Sequence, residues 1–258
     1  MLEIIIILLA GFWAGMINVV VGSGTLVTFP ALLLFGYPPI VANISNNIGL
    51  VGGGLSGSWG YRREIAANPR LLLRLLPLSV LGGTGGALLL LVLPAEAFQA
   101  IVPVLIVIGL VMVALAPRVQ RAAAAKAGDT APDAAPSRRR SLLLLVGIGI
   151  LGVYGGYFGA AQGILIVGLM SMVTLESLQR INAVKNVLTT AVNGVAAVTF
   201  MLFAWESINW SLVLLIAVGA TLGGLFGARV GRKLSPVALR ATILVIGTIA
   251  LIRIVFFG

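Results

Sequence analysis

The chain contains no cysteine and no histidine among its 258 residues. These absences exclude disulfides, thiol redox chemistry, imidazole metal ligands and imidazole acid–base catalysis. Charge is scarce as well, since only 9% of the residues are charged, whereas ordinary soluble domains carry roughly 25%. Together with 60% hydrophobic residues and a mean hydropathy of +1.14, this composition indicates an integral membrane protein.

Carboxylates are missing from the middle of every apolar run. The glutamates all lie near run ends, at Glu3, Glu64, Glu96, Glu176 and Glu206. A carboxylate proton relay and an acidic cation site therefore have no candidate residues, which favours an anion as substrate. Without His, Cys or a central carboxylate, the sequence offers no acid–base set for a membrane enzyme. No metal and no cofactor are expected.

Positive charge is concentrated at the ends of apolar runs. The formal net charge is +10, and most basic residues fall within three segments, 61–74, 117–140 and 229–240. By the positive-inside rule these segments are predicted to be cytoplasmic loops of a multi-pass protein of the cell inner membrane. Attraction to anionic lipid could also favour the cytoplasmic position of these segments. The same placement argues against a nucleic-acid partner.

A pattern of amides and glycine occurs twice inside the apolar sequence. Asn43 and Asn47 recur 139 residues later as Asn182 and Asn186, and the same offset carries Gly24 onto Gly163. An amide in hydrocarbon is unfavourable unless it finds partners, so two matched pairs indicate one functional element that is used twice. Secondary transporters are commonly built from such repeats.

Two apolar runs, 24–36 and 163–175, are too short to cross a membrane as helices. Spanning takes about 20 helical residues, and these runs occupy equivalent places in the two halves. Short, glycine-interrupted segments at matched positions are the best sequence indication of a transporter binding site. Motifs of the type Gly-x-x-x-Gly, at Gly82/Gly86 and Gly223/Gly227, are interpreted instead as helix packing.

The charge pattern predicts that the two copies are inverted. Loop 61–74 is basic, whereas its repeat equivalent, 204–210, contains Glu206 and no basic residue, so the two loops face opposite sides. Each half is then an all-α unit of one re-entrant hairpin and three transmembrane helices. The predicted boundaries are a first repeat at 1–116, a cytoplasmic polar linker without fixed structure at 117–140, and a second repeat at 141–258. Two parallel four-helix halves are the alternative.

The turns before the short runs are candidates for an anion site. The chain turns at Gly22-Ser23-Gly24 and at Ala161-Gln162-Gly163, and the following helices are expected to begin near Thr25 and Ile164. A helix N-terminus presents unpaired N–H groups and a positive dipole end, and glycine lets a ligand approach the backbone. The alternative is that these glycines only permit tight packing.

The repeated asparagines could supply side-chain donors to the same site. The members of each pair are four residues apart and therefore share a helix face. Their amides could hydrogen-bond an oxyanion, or they could only join helices. Lys185 lies between Asn182 and Asn186 and could be a fixed positive charge at the site, or it could extend to the cytoplasmic surface.

Both turns resemble the signatures of a known family. Residues 21–32 (VGSGTLVTFPAL), continuing through 36–39 (GYPP) to Ala42 and Asn43, resemble the first signature of the sulfite exporter TauE/SafE family. Residues 155–163 (GGYFGAAQG), followed by 181–186 (INAVKN), resemble the second. The resemblance implies a membrane permease for sulfite, thiosulfate, sulfoacetate or other sulfur-containing or organic anions. The family's fuller glycine runs are thinned here, so the resemblance does not determine the substrate.

The sequence thus predicts transport of a small anion, bound near the midplane between inverted repeats. A passive anion channel of the same architecture, a carrier for a non-sulfur organic anion and a partner subunit without transport activity remain alternatives. The expected partners are the anion and the lipid bilayer, and the oligomeric state is left open. The predicted substrate-binding residues are Gly22, Ser23, Gly24, Thr25, Asn43, Asn47, Gln162, Gly163, Asn182, Lys185 and Asn186.

Overall fold

The described part of the chain is helical throughout and contains no strand. The computed structural model describes residues 1–67, 69–128, 138–174, 176–230 and 236–257. The helical structure of these residues confirms the all-α prediction. The helices are α1 (Leu2–Val20), α2 (Thr25–Leu34), α3 (Pro39–Gly60), α4 (Arg62–Ala67), α5 (Pro69–Val92), α6 (Ala95–Gly128), α7 (Arg138–Tyr157), α8 (Gln162–Val173), α9 (Leu178–Phe203), α10 (Trp210–Val230) and α11 (Pro236–Phe257), with a 3₁₀ turn at Trp205–Ser207.

Seven of the described helices are long and apolar enough to cross a membrane, namely α1, α5, α6, α7, α9, α10 and α11. The chain is therefore a multi-pass membrane protein. Helix α3 has 22 residues, about 33 Å of helix, but buried polar residues such as Asn43 and Asn47 lower its hydropathy. Helices α2 and α8 have only 10 and 12 residues. These two short helices confirm that the runs after the turns are too short to span.

The protein has polar contacts between buried helix faces and apolar side chains on its outward faces. Helices α3 and α9 pack together through polar side chains, because the Asn47 amide donates to Asn193 Oδ1 (3.4 Å) and Ser58 Oγ lies 3.3 Å from Thr190 Oγ1. The outward faces of α3 and α5 carry leucines instead, and Leu55 and Leu81 are 60% and 68% exposed. Such exposed apolar faces are those that a bilayer covers.

The contacts between helices stay the same when each helix is replaced by its match in the other half. The 139-residue offset matches α1 with α7 and α2 with α8, and continuing along the chain it matches α3 with α9, α5 with α10 and α6 with α11. Helix α1 packs on α10 while α5 packs on α7, and α3 packs on α10 while α5 packs on α9. Two copies related by an approximate twofold axis produce this pattern. The opposite orientation of the copies across a membrane remains a prediction.

Glycines allow the closest of these helix pairs to form. A Cβ atom added to Gly86 on α5 would lie 2.0 Å from the Val153 carbonyl oxygen on α7. A Cβ atom on Gly223 of α10 would lie 1.9 Å from the Phe12 carbonyl oxygen on α1. Real side chains do not approach backbone so closely, so the interpretation of both Gly-x-x-x-Gly motifs as packing is confirmed.

The predicted lack of fixed structure at 117–140 is wrong for the part of this segment that the structure describes. Helix α6 continues through Pro117 to Gly128, and α7 begins at Arg138. The extension is rich in alanine, including Ala122 to Ala125, and alanine has the highest helix propensity. This local preference outweighs the polarity of the segment. Residues 129–137 of the predicted linker lie outside the described residues.

Replacing Gly86 by leucine is expected to separate α5 from α7, because the new side chain would meet α7 backbone rather than a movable side chain. We expect a loss of about 3 kcal/mol or more of stability, since overpacking a core typically costs 1–3 kcal/mol. Gly85→Leu is the matched control, because a Cβ there meets nothing within 4 Å. Thermal unfolding in detergent measures both variants, and equal losses would contradict the packing assignment.

Candidate functional site

The two turns, one from each half, are in direct backbone contact. The Gly163 N–H group donates to the Gly22 carbonyl oxygen over 3.1 Å. A Cβ atom added to Gly22 would lie 2.8 Å from Gly163 Cα, and one added to Gly163 would lie 2.6 Å from Gly22 Cα. No residue with a side chain fits at either position without moving the other turn. These two glycines, both within or beside the predicted turns, therefore bring the two broken segments together.

Both turns use left-handed backbone at the matched position. Gly22 has a φ of +87°, and the offset carries it onto Ala161, which has a φ of 60°. Ala161 is the only non-glycine residue with positive φ among the described residues. A left-handed conformation costs an L-residue with a side chain roughly 1–2 kcal/mol. The second turn therefore holds strain that the first turn avoids.

The N-terminus of α2 presents a group of free donors. The backbone N–H groups of Ser23, Gly24 and Thr25 have no acceptor among the described residues, and neither has the Ser23 hydroxyl. All three residues are buried. Buried N–H groups are almost always paired in proteins, so this set calls for an acceptor. An anion at a helix N-terminus is the acceptor that such a geometry favours.

The N-terminus of α8 differs, because its donors are already used. The N–H groups of Gln162, Gly163 and Ile164 donate to the carbonyl oxygens of Gly159, Gly22 and Ala161, in that order. The Gln162 side chain turns away and donates to the Leu151 carbonyl oxygen on α7, over 3.0 Å. The two turns are thus related by the repeat but are not equivalent as donors. The first turn has N–H groups that are free to bind a ligand. The second turn holds the first in place through the hydrogen bond from Gly163 to Gly22.

Lys185 lies beside these turns and is completely buried, with 0% of its surface exposed. Its ammonium group donates to the carbonyl oxygens of Asn18 (3.2 Å) and Val19 (2.9 Å), at the C-terminus of α1. These carbonyls lack helical partners and sit at the negative end of the helix dipole. No carboxylate lies within ion-pair distance of Lys185 in the described part of the chain. Lys185 therefore does not extend to the surface.

Lys185 lies close to both turns, including the turn that carries the free donors. A Cβ atom on Gly163 would lie 3.0 Å from Lys185 Cδ. A Cβ atom on Gly24 would lie 3.1 Å from Asn18 Cβ, and Asn18 is one of the two residues that Lys185 binds. Lys185 and the free N–H groups therefore both lie next to the α1–α2 turn.

Asn43 makes the corresponding contact in the other half. Its amide donates to the Tyr157 carbonyl oxygen at the end of α7, over 3.0 Å. The offset of 139 residues matches Tyr157 with Asn18, the residue that accepts from Lys185. Each broken helix is thus capped by a side chain from the opposite half. These caps tie the two halves together at the level of the turns.

The remaining predicted amides separate into two groups. Asn186 is buried, and its amide nitrogen has no hydrogen-bond partner, so it is a further free donor. Asn47 bonds to Asn193 between α3 and α9. Asn182 is half-buried, and its amide donates to the Leu178 carbonyl oxygen of its own helix, over 3.0 Å. Asn182 therefore does not repeat the contact that Asn43 makes.

Asn18 and Thr28 belong to this region but are absent from the sequence-based set. Asn18 contributes its carbonyl oxygen to Lys185, and Thr28 Oγ1 donates to Asn46 Oδ1. Asn46 occupies the position that the offset matches with Lys185. Asn18 could have been found as an amide in the last turn before Gly22. Its match in the second half is Tyr157, so the search for repeated amides missed it.

The turn lies about half a membrane thickness from one end of α1. At that end the Tyr37 hydroxyl donates to Glu3 Oε1 (2.6 Å), and Arg253 donates to the Leu34 carbonyl oxygen. The Tyr37 contact raises the pKa of that phenol, mainly through its hydrogen bond to Glu3. Gly24 packs against Ala14, eleven residues from Glu3 along α1, which is about 16 Å of helix. A bilayer core is about 30 Å thick.

The structure is thus that of a polytopic helical protein in which two short helices meet at buried turns. The chain matches the family described as Sulfite exporter TauE/SafE over residues 7–254. It belongs to this family, as the resemblance of both signatures predicted. The protein is therefore a membrane transporter of the TauE/SafE type and not an enzyme.

Similar proteins from three bacteria are also described as transporters. A "Probable membrane transporter protein" of Haemophilus influenzae is 29% identical over 97% of this chain and 94% of its own length. "Probable membrane transporter protein ORF9" of a Sinorhizobium species is 27% identical, covering 95% and 89%. "Probable membrane transporter protein YfcA" of Escherichia coli K12 is 24% identical, covering 94% and 86%. No solved structure matches the chain.

Gly22→Ala is expected to separate the two turns, because alanine there is both strained and in collision with Gly163. Gly36→Ala is the matched control: Gly36 has a φ of +85°, close to the +87° of Gly22, but a Cβ there meets nothing within 4 Å. We expect Gly36→Ala to lose about 1–2 kcal/mol from strain alone, and Gly22→Ala to lose clearly more. Thermal unfolding in detergent compares them, and equal losses would show that the turn contact is unimportant.

Proposed function

We propose that this protein transports a small oxyanion or organosulfonate, of the sulfite, thiosulfate or sulfoacetate type, across the cell inner membrane. The substrate binds at the start of α2, between the two halves. The observation that carries this proposal is the buried set of free donors at Ser23, Gly24 and Thr25 beside the buried cation Lys185. A family described as sulfite exporters supports the sulfur-containing substrate class.

The donor set suits an oxyanion. Three consecutive N–H groups, the Ser23 hydroxyl and the Asn186 amide can all donate, and none of them is engaged with another described residue. Hydrogen bonds to a charged acceptor are each worth about 1.5–3 kcal/mol, more than bonds between neutral groups.

The electrostatics favour a negative ligand. An isolated ammonium group inside a protein is strongly unfavourable unless it is compensated. Lys185 obtains partial compensation from the carbonyl oxygens of Asn18 and Val19, and no described carboxylate neutralises it. A bound anion completes the neutralisation. The same arrangement repels cations, so it selects substrates by the sign of their charge.

The other predicted residues hold the site in place. Gly163 supports the first turn through Gly22, and the Gln162 side chain fastens α8 to α7. Asn43 caps α7, and Asn47 joins α3 to α9. We assign Asn182 to the edge of the site, because its amide donates to its own helix. The direct ligands are thus Ser23, Gly24, Thr25, Lys185 and Asn186.

We infer that the repeats are inverted and that transport proceeds by alternating access. The exchange of helix pairings between the halves supports a twofold relation. The charge pattern supports cytoplasmic positions for 61–74, 117–140 and 229–240. With the outer end of α1 at Glu3, Gly24 lies about 16 Å deep, which is near the midplane. A midplane site between repeats can then open to either side.

Flux into proteoliposomes tests the function. We expect saturable uptake of at least one of sulfite, thiosulfate or sulfoacetate, with small carboxylates as the comparison panel. Saturation is expected because each substrate molecule must occupy the donor set at α2. Flux no greater than that of empty vesicles for every anion would contradict the proposal. Flux that rises without saturation would identify a passive channel instead.

Lys185→Gln is expected to raise the KM for the transported anion about ten- to hundredfold, because it removes the charge at the site. Glutamine retains an N–H donor for the carbonyl oxygens at the end of α1, so the fold should be kept, as gel filtration in detergent can verify. Arg180→Gln is the matched control, since it removes an exposed cation from the same helix. An unchanged KM in Lys185→Gln would remove Lys185 from the site.

A further inference from the structure

A cavity of about 250 Å³ lies where α3 and α10 end, away from the site at α2. Its walls include Trp59, Arg62, Leu225 and Arg229. We call it the arginine pocket. The two guanidinium groups come from opposite halves of the chain. They meet because Gly60 and Ala228 bring the helix ends together, and a Cβ atom on Gly60 would lie only 2.2 Å from Ala228 Cβ.

Both arginines of the pocket lack an acidic partner. Neither Arg62 nor Arg229 has a carboxylate within ion-pair distance among the described residues. The Arg62 guanidinium lies over the Trp59 ring, 4.9 Å from its centroid, and Nη1 donates to the Trp59 carbonyl oxygen over 3.1 Å. These contacts hold the group at the rim, and its other N–H donors have no acceptor among the described residues. Two such groups can bind the oxygens of one phosphate.

Apolar side chains are exposed on the helix surfaces next to the pocket, which we call the apolar rim, and one of them, Trp59, also lines the pocket. Trp59 is 65% exposed and Leu55, one turn earlier, is 60% exposed. On α10, Leu222 and Phe226 are 55% and 44% exposed. In a multi-pass membrane protein such surfaces contact lipid chains, and tryptophan is enriched at the membrane interface. The occupant of the pocket therefore needs an anionic head next to an apolar tail.

We propose that the arginine pocket binds the phosphate headgroup of an anionic phospholipid. Basic pockets between helices at the cytoplasmic surface are suited to such headgroups. A free oxyanion could satisfy the arginines, but it would leave the apolar rim without a role. The ligand is thus a membrane lipid that joins the ends of α3 and α10. This inference does not depend on the transported substrate.

Native mass spectrometry of the purified protein, titrated with phosphatidylglycerol or phosphatidylcholine, tests the proposal. We expect the wild type to retain phosphatidylglycerol preferentially. Arg62→Gln together with Arg229→Gln is expected to weaken this binding about thirtyfold, to the level of phosphatidylcholine. Each single variant keeps one guanidinium and is expected to lose about fivefold, so a folding defect in the double variant leaves the test intact.

Arg63→Gln together with Arg70→Gln is the matched control, because it removes the same charge from exposed positions outside the pocket. We expect this control to bind phosphatidylglycerol as the wild type does. An equal loss in the control would reveal diffuse attraction and overturn the proposal, as would unchanged binding in the pocket variants. Displacement of the lipid by millimolar inorganic phosphate would identify a free-oxyanion site and also overturn it.

Discussion

The fold depends on satisfying broken helix ends inside a low-dielectric protein. Helices α1 and α7 both stop at buried turns, where their last carbonyl oxygens have no partner in the same helix. Lys185 of the second half supplies donors to α1, and Asn43 of the first half supplies a donor to α7. Neither half can satisfy its own helix end in this way. The two halves are therefore interdependent, and the hydrogen bond from Gly163 to Gly22 joins them at the same level.

Repetition of a structural element does not make the two copies equal in function. The turn at Ala161 directs its N–H groups into the protein, and one of them goes to the Gly22 carbonyl oxygen. The turn at Gly22 keeps the donors that follow it free. The proposed anion site is therefore single, although the repeat could have produced two. The side chains of the two turns differ in the same way: Gln162 donates to α7, whereas the Ser23 hydroxyl has no partner among the described residues.

The repeat, the short helices and the family were visible in the sequence, because spacing and hydropathy are local properties. The 139-residue offset identified Gly163 through its match with Gly24, and Gly22 was identified as part of the turn before the first short run. The structure shows why glycine is needed at Gly22 and at Gly163. The sequence could not show which donors stay free, since this depends on one hydrogen bond between turns far apart in the chain. It also could not bring Arg62 and Arg229 together, because their meeting results from the packing of Gly60 on Ala228. The helical extension of α6 was missed because its alanine content was given less weight than its charge.

The position of Lys185 has an electrical consequence. Lys185 lies near the end of α1 remote from Glu3, so it is inside the field that a membrane potential creates. If the proposed site holds a monovalent anion, the charges of ligand and lysine cancel, and the loaded protein is then nearly insensitive to voltage. Without a ligand, the ammonium group alone experiences up to about 2.3 kcal/mol per 100 mV, depending on how far it moves through the field. In the proposed alternating-access cycle, voltage would then act on the return of the empty transporter and leave the loaded step almost unaffected.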